Sequence, residues 1–193
     1  MRRIRKQANA FTLVELLVVI GIIAILMGLL FAGGRAVQQQ AKRTQAKNDL
    51  AQIVTAVNAY YTEYGKYPVV TDDTPIANTS DLFYTLRAIA SGTANIGNAA
   101  NPRKIVFISP PDVKDPGTPV SGIGADGQYY DPWGTTYKVA IDGTYDNQIS
   151  NPYGGSANAG PATLSTGVIA WSLGSNQTQD TDVKAGDDVI SWQ

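Results

Sequence analysis

From Leu16 to Ala32 the chain runs seventeen residues without a charged or polar side chain. On their N-terminal side only Glu15 and Thr12 interrupt an apolar run that opens at Phe11 and closes at Gly34, FTLVELLVVIGIIAILMGLLFAGG. An α-helix rises about 1.5 Å per residue, so such a stretch spans roughly 30 Å, the hydrocarbon thickness of a bilayer. Residues 11–34 are therefore expected to cross a membrane as a helix. Arg2, Arg3, Arg5 and Lys6 precede it, a basic leader that holds the N-terminus on the cytoplasmic side and sends the rest of the chain outward.

Glu15 does not suit a plain anchor. A carboxylate at mid-bilayer costs about 2.5 to 3.5 kcal/mol, so an acid in a span has a partner or a task, unless it simply hydrates in the headgroup zone. Its setting is a basic leader, a small residue at Ala10, then Phe11, Thr12, Leu13, Val14 and Glu15 opening a long apolar helix. This combination resembles the N-terminal signal of type IV pilins and type II secretion pseudopilins. The resemblance implies cleavage between Ala10 and Phe11 by a prepilin peptidase, methylation of the new amine, and a role for Glu15 in assembly. Ala10 departs from the glycine usual before the cut.

An ordinary secretory signal also has a basic start and an apolar core, and Ala32-Gly33-Gly34 offers small residues for its cleavage. Its core is only about 7 to 15 residues long, however, and it leaves Glu15 without a role.

The length of 193 residues suits one modest soluble domain beyond this segment. With no cysteine, neither a disulfide framework nor a thiolate metal site can form, and with no histidine the commonest general base and zinc ligand are missing. Residues 1–35 carry five basic groups against one acid, and residues 36–193 carry ten against fifteen. The exported part is thus mildly acidic, a surface that does not favour nucleic acid.

No proline occurs before Pro68, and Leu50, Ile53, Val54, Val57, Tyr60, Tyr61 and Tyr64 recur at the spacing of one helical face. Lys42, Arg43, Gln45, Lys47, Asn48, Gln52 and Glu63 fall on the other side. One helix from Thr12 to Tyr64, about 80 Å long, is the expectation. Gly33-Gly34 marks a soft joint within it. Gly65 is placed for a left-handed cap and Pro68 lies just past the end. A short helix is expected over Ser80–Ala90 with Ser80 as its cap, followed by loop to about Pro102. Strands are expected at Lys104–Ile108, Thr135–Ile141 and Gly167–Leu173, joined by turns such as Asp131-Pro132-Trp133-Gly134. A long amphipathic helix beside an antiparallel sheet with one apolar face gives an α+β fold.

The YG.YP segment at 64–68, the DPWG-x-x-Y stretch at 131–137 and the C-terminal segment together resemble the major pseudopilin of type II secretion, while residues 78–128 are longer than the core of that family requires. The implied fold is pilin-like, with a leader at 1–10, a membrane and assembly helix at 11–34, and a periplasmic domain at 35–193. The implied role is structural rather than enzymatic: a subunit that polymerises into a filament driving protein export. Its partners would be copies of itself, the prepilin peptidase, an inner-membrane assembly platform and minor pseudopilins, with no nucleic acid. A type IV pilin for adhesion, motility or DNA uptake is the alternative, and an anchored binding module that never polymerises is a third.

Residues 172–192 gather Asp180, Asp182, Asp187 and Asp188 among Gly, Ser and Asn. Carboxylates, amide oxygens and free carbonyls in a loop form the ligand set of Ca²⁺, although a solvated acidic turn has the same composition. The resemblance implies a calcium loop with ligands at Leu173, Ser175, Asn176, Asp187, Asp188 and Ile190. Asn176-Gln177 departs from the Asp-Gly of that family, which weakens the site or moves duty to Asp180 or Asp182.

Overall fold

The computed structural model describes residues 12–193, without the side chains of residues 29–35. The chain divides into two compact units, Met1–Ala41 and Lys42–Gln193. Helix α1 (Leu13–Tyr64) is a single element that stays continuous through residues 33 and 34, so the glycine pair does not break it.

In the first unit α1 starts with a capping box. Thr12 Oγ1 accepts the Glu15 N–H at 3.2 Å, and Glu15 Oε2 accepts both the Thr12 N–H and the Thr12 hydroxyl at 2.8 Å. Two donors that the first turn leaves unpaired are satisfied reciprocally. Beyond the cap, every large apolar side chain from Leu13 to Met27 is 45–80% exposed. Among the described residues no helix is long and apolar enough to cross a membrane. The span expected over residues 11–34 thus rests on the sequence, since Phe11 and the side chains of 29–35 lie outside what is described.

In the second unit α1 buries Ala46, Leu50, Ile53, Ala56, Val57 and Tyr60. Val54 and Tyr64 reach this core only partly, and Tyr61 leaves the expected face: it is 39% exposed and stacks on Tyr67 at 4.5 Å, which in turn stacks on Tyr145 at 5.6 Å. The helix ends as its sequence predicts. Gly65 takes φ +67° and donates its N–H to Tyr61 O at 2.8 Å, a left-handed cap that glycine adopts without steric cost.

Helix α2 (Ser80–Leu86) is shorter than expected. Ser80 is not its cap; Ser80 is the first helical residue, and its N–H donates to Asn78 Oδ1 at 2.9 Å. Leu82, Phe83 and Leu86 enter the core, as expected. The stretch expected to be loop contains a 3-10 turn, Ile96–Asn98. The strand expected at Lys104–Ile108 does not form. Lys104 has φ +55°, and the N–H groups of Phe107 and Ile108 both turn to Leu86 O. Asn101, fully buried, holds this path: its Nδ2 donates to Thr85 O and Ile105 O, and its Oδ1 accepts from Ile105 N–H and the Tyr64 hydroxyl. A β-branched run whose amides are taken up by a helix end has none left for a ladder.

The strands are β1 (Gly122–Ile123), β2 (Tyr129–Tyr130), β3 (Lys138–Ile141), β4 (Ile149–Ser150), β5 (Thr163–Leu164), β6 (Val168–Ser172) and β7 (Val189–Ile190). They make a β1–β2 pair, a β4–β5 pair and a three-stranded sheet in the order β3–β6–β7, all antiparallel. The layout is α+β, an N-terminal helix followed by small antiparallel sheets, consistent with the pilin-like fold.

The central sheet differs from expectation in having two apolar faces. Val139, Ile141, Val168, Ala170 and Val189 join α1 and α2 in one core. Ala140, Ile169, Trp171 and Ile190 join Ile149, Tyr153, Leu164 and Val183 in a second. Side chains alternate across a strand, so the unbroken burial of β6 requires cover on both sides. The excursion between β3 and β6, which contains β4 and β5, supplies the second layer.

Asp49 ties α1 to Tyr137, the residue that precedes β3. The Tyr137 hydroxyl donates to Asp49 Oδ2 at 2.8 Å in a buried setting. Burial pushes the Asp49 carboxyl up, against hydrogen bonds from Tyr137, Tyr129 and Gln45. A folded pKa above the unfolded one means that this group's contribution is fully present below the unfolded value and is lost as pH rises through the folded value. Asp49→Asn keeps an acceptor for Tyr137 and has no charge to bury. As pH rises above the ordinary aspartate range, its melting midpoint should therefore fall less than that of the wild type. Parallel pH curves for the two proteins would show that the buried charge costs the fold nothing.

Candidate functional site

Two regions carry the expected site residues. At the N-terminus, Ala10 and Phe11 lie outside the described residues. Glu15 is described, and what it does there is cap α1 through Thr12.

The second region is the segment that follows β6. Gly174 has φ +64°, and a Cβ on it would stand 2.4 Å from Asp187 O, so only glycine lets the two loop halves close. Across this closure the N–H groups of Ser175 and Asn176 donate to Asp187 Oδ2 at 2.6 and 2.9 Å, joined by the Ser175 hydroxyl. Asp180 is the other organiser. Its Oδ2 accepts the N–H groups of Asp187 and Asp188 at 2.7 and 3.1 Å, its Oδ1 accepts Asn176 Nδ2 at 3.0 Å, and its own N–H donates to Asp188 Oδ2 at 2.8 Å.

These bonds bring three carboxylates together. One oxygen each from Asp180, Asp187 and Asp188 lies within 4.8 Å of the others. Asp188 is 3% exposed, and Asp187 Oδ1 and Asp188 Oδ1 are buried with no hydrogen-bond partner. Burial pushes the Asp188 carboxyl up, and the charges of Asp180 and Asp187 add to the rise. Burial also acts on Asp187, but hydrogen bonds from Ser175 and Asn176 outweigh it and hold that carboxyl down. The Tyr153 phenol, buried beside Asp188, is pushed far above its usual range by burial and then by that carboxylate. The carboxylates converge with oxygens to spare, and among the described residues none of the three is in a salt bridge; a hard divalent cation with oxygen ligands fits the cluster.

The expected ligands are distributed unevenly. Of the expected ligands Asp187 and Asp188 lie together, and the third carboxylate beside them is Asp180. Ser175 and Asn176 border the cluster as hydrogen-bond donors to Asp187. Leu173 follows directly on β6, and Ile190 sits in β7 opposite Trp171. Asp182 stands apart, accepting from Asn158, Lys184 and Ala185. A second acidic group, Asp73, Asp142 and Asp146, is accounted for locally: both Asp142 oxygens accept amides of the turn that follows it, and Asp73 holds Thr144. Asp131 of the DPWG turn is fully buried and structural, accepting the N–H groups of Trp133 and Thr135 and the Ser172 hydroxyl.

Residues 5–31 match the prokaryotic N-terminal methylation motif, so the chain carries a prepilin-type N-terminus ahead of its α+β domain. Among characterised proteins it is similar to the type IV major pilin protein PilA of Myxococcus xanthus (strain DK1622), at 28% identity over 100 residues, 51% of this chain and 46% of that one. It is also similar to the type II secretion system core protein G of Pseudomonas aeruginosa, at 38% identity over 64 residues, 33% of this chain and 45% of that one. The chain spans less than half the length of these relatives. No solved structure matches it.

Proposed function

We propose that this chain is a structural subunit of a type II secretion pseudopilus, which polymerises through its N-terminal helix to drive protein export. The observation that carries this reading is the joining of a methylation motif at 5–31 to a helix whose apolar side chains from Leu13 to Met27 stand exposed. Such a surface needs lipid before assembly and other copies of the same helix after it. In this reading residues 1–10 are the leader, residues 11–34 cross the inner membrane, and residues 35–193 face the periplasm. Prepilin peptidase processes the chain, and an assembly platform and minor pseudopilins handle it. The chain works as scaffold, without catalysis.

Ca²⁺ belongs to the same proposal. Asp180, Asp187 and Asp188 would hold it, and its charge would neutralise three carboxylates that the fold forces together. Its role would be to close the C-terminal segment onto the end of β6.

A type IV pilin is the second reading, favoured by the greater length of this chain that the PilA match covers. The two differ in output: loss of the gene abolishes export in the first case, and adhesion, motility or DNA uptake in the second. Helical polymers on overexpression would exclude an anchored module that never polymerises.

Processing is the direct test. Intact mass and N-terminal sequencing of membrane-extracted protein should give a mature chain that begins with N-methylated Phe11. A start after Ala32 would replace the prepilin reading with an ordinary secretory signal.

A further inference from the structure

Arg43 lies on the polar face of α1, and its Nη2 donates to Gly186 O at 2.7 Å, a part-buried contact across 143 residues of sequence. The choice of acceptor matters, because Gly186 immediately precedes Asp187 and Asp188. Gly186 is held from other sides as well. Its N–H donates to Asp182 O at 2.8 Å, and a Cβ on it would stand 1.9 Å from Asp180 Oδ2, so its backbone lies against the side chain that organises the cluster. The guanidinium therefore grips the backbone at the point from which two of the three carboxylates are presented.

Charge alone argues against such a residue. A permanent cation on a loop that gathers three carboxylates for a cation weakens ion binding by repulsion. A loop shaped for affinity alone would have no arginine at this position. The geometry points instead to position: we propose that Arg43 is a positioning residue of the ion loop, which fixes the Gly186 carbonyl to α1 so that Asp187 and Asp188 face Asp180. The inference rests on the calcium reading above. Its consequence is reciprocal coupling, in which the ion steadies the Arg43 contact and any displacement of α1 at Arg43 loosens the ion.

The test is Ca²⁺ titration by calorimetry on the full chain in detergent, with wild type, Arg43→Ala and Arg43→Lys. Loss of one charged hydrogen bond at the loop should weaken Ca²⁺ binding by Arg43→Ala about tenfold. Lysine keeps a donor and the charge, so Arg43→Lys should stay within about threefold of wild type. Amide exchange in EGTA supplies a readout that does not need the ion: the Asp187 and Asp188 amides, held by Asp180, should exchange faster in Arg43→Ala while those of Leu50 and Ile53 do not change. Binding by Arg43→Ala that is equal to or tighter than wild type would overturn the proposal and leave Arg43 as a repulsive bystander. A wild type that takes up no Ca²⁺ would overturn the calcium reading itself, and the proposal with it.

Discussion

In millimolar CaCl₂ the full chain should melt several degrees higher than in EGTA, and Asp187→Ala should remove the difference. The fold holds Asp180, Asp187 and Asp188 together, with two buried oxygens unpartnered. A ligand at a hundred times its dissociation constant stabilises the folded state by about 2.7 kcal/mol. About 1 kcal/mol moves the midpoint of a domain of this size by roughly 2 to 8 °C. Asp188→Asn gives the sharper contrast. The folded pKa of Asp188 is raised, so its ionised form costs stability as pH rises through that value. At neutral pH the variant should therefore melt at or above wild type in EGTA, yet below it in calcium. Equal wild-type midpoints in the two buffers would reduce the loop to a solvated acidic turn.

Glu15→Leu should be inserted and cleaved normally and should fail to assemble. Cleavage before Phe11 would create an amine one residue from Thr12, whose N–H already donates to Glu15 Oε2. Glu15 follows Phe11 by four residues in sequence, so in the proposed mature chain the carboxylate would pair with the new charge in its own subunit or in a neighbour. An ion pair buried between packed helices is costly to break from one side, whereas losing a helix cap is a much smaller loss. Glu15→Gln separates the two effects, because glutamine also completes a capping box but carries no charge. Both variants should fail if pairing governs assembly. Normal filaments from Glu15→Gln would assign the requirement to the cap, and normal filaments from Glu15→Leu would end the pairing idea.

The capping role of Glu15 was legible in principle. Thr12 and Glu15 stand at the spacing of a capping box directly ahead of an apolar run, although an acid at the edge of a span carries an electrostatic signal of its own. Asp180 left a weaker trace. Among four aspartates in a polar loop, sequence offers no means of telling which three converge, and the structure selects Asp180 over Asp182 through amide bonds that exist only once the loop has closed. Arg43 left none, because Gly186 lies 143 residues away.

What the sequence determined by itself is what short-range physics decides. The cap of α1 at Thr12, its stop at Gly65, the turn at Asp131–Gly134 and a strand within Gly167–Leu173, formed over Val168–Ser172, follow from capping, backbone freedom and β-branched runs, each settled within a few residues. The N-terminal motif is of the same kind, since contiguous residues carry it. Tertiary structure alone decided the rest. Lys104–Ile108 reads as a strand and is not one, because Asn101 and the end of α2 claim its amides. The central sheet is covered on both faces because the chain between Ile141 and Val168 folds back over it. Asp49 can stay buried because Tyr137, 88 residues further on, donates to it. Partners so distant in sequence are chosen by the packing of the whole domain, and no local pattern records that choice.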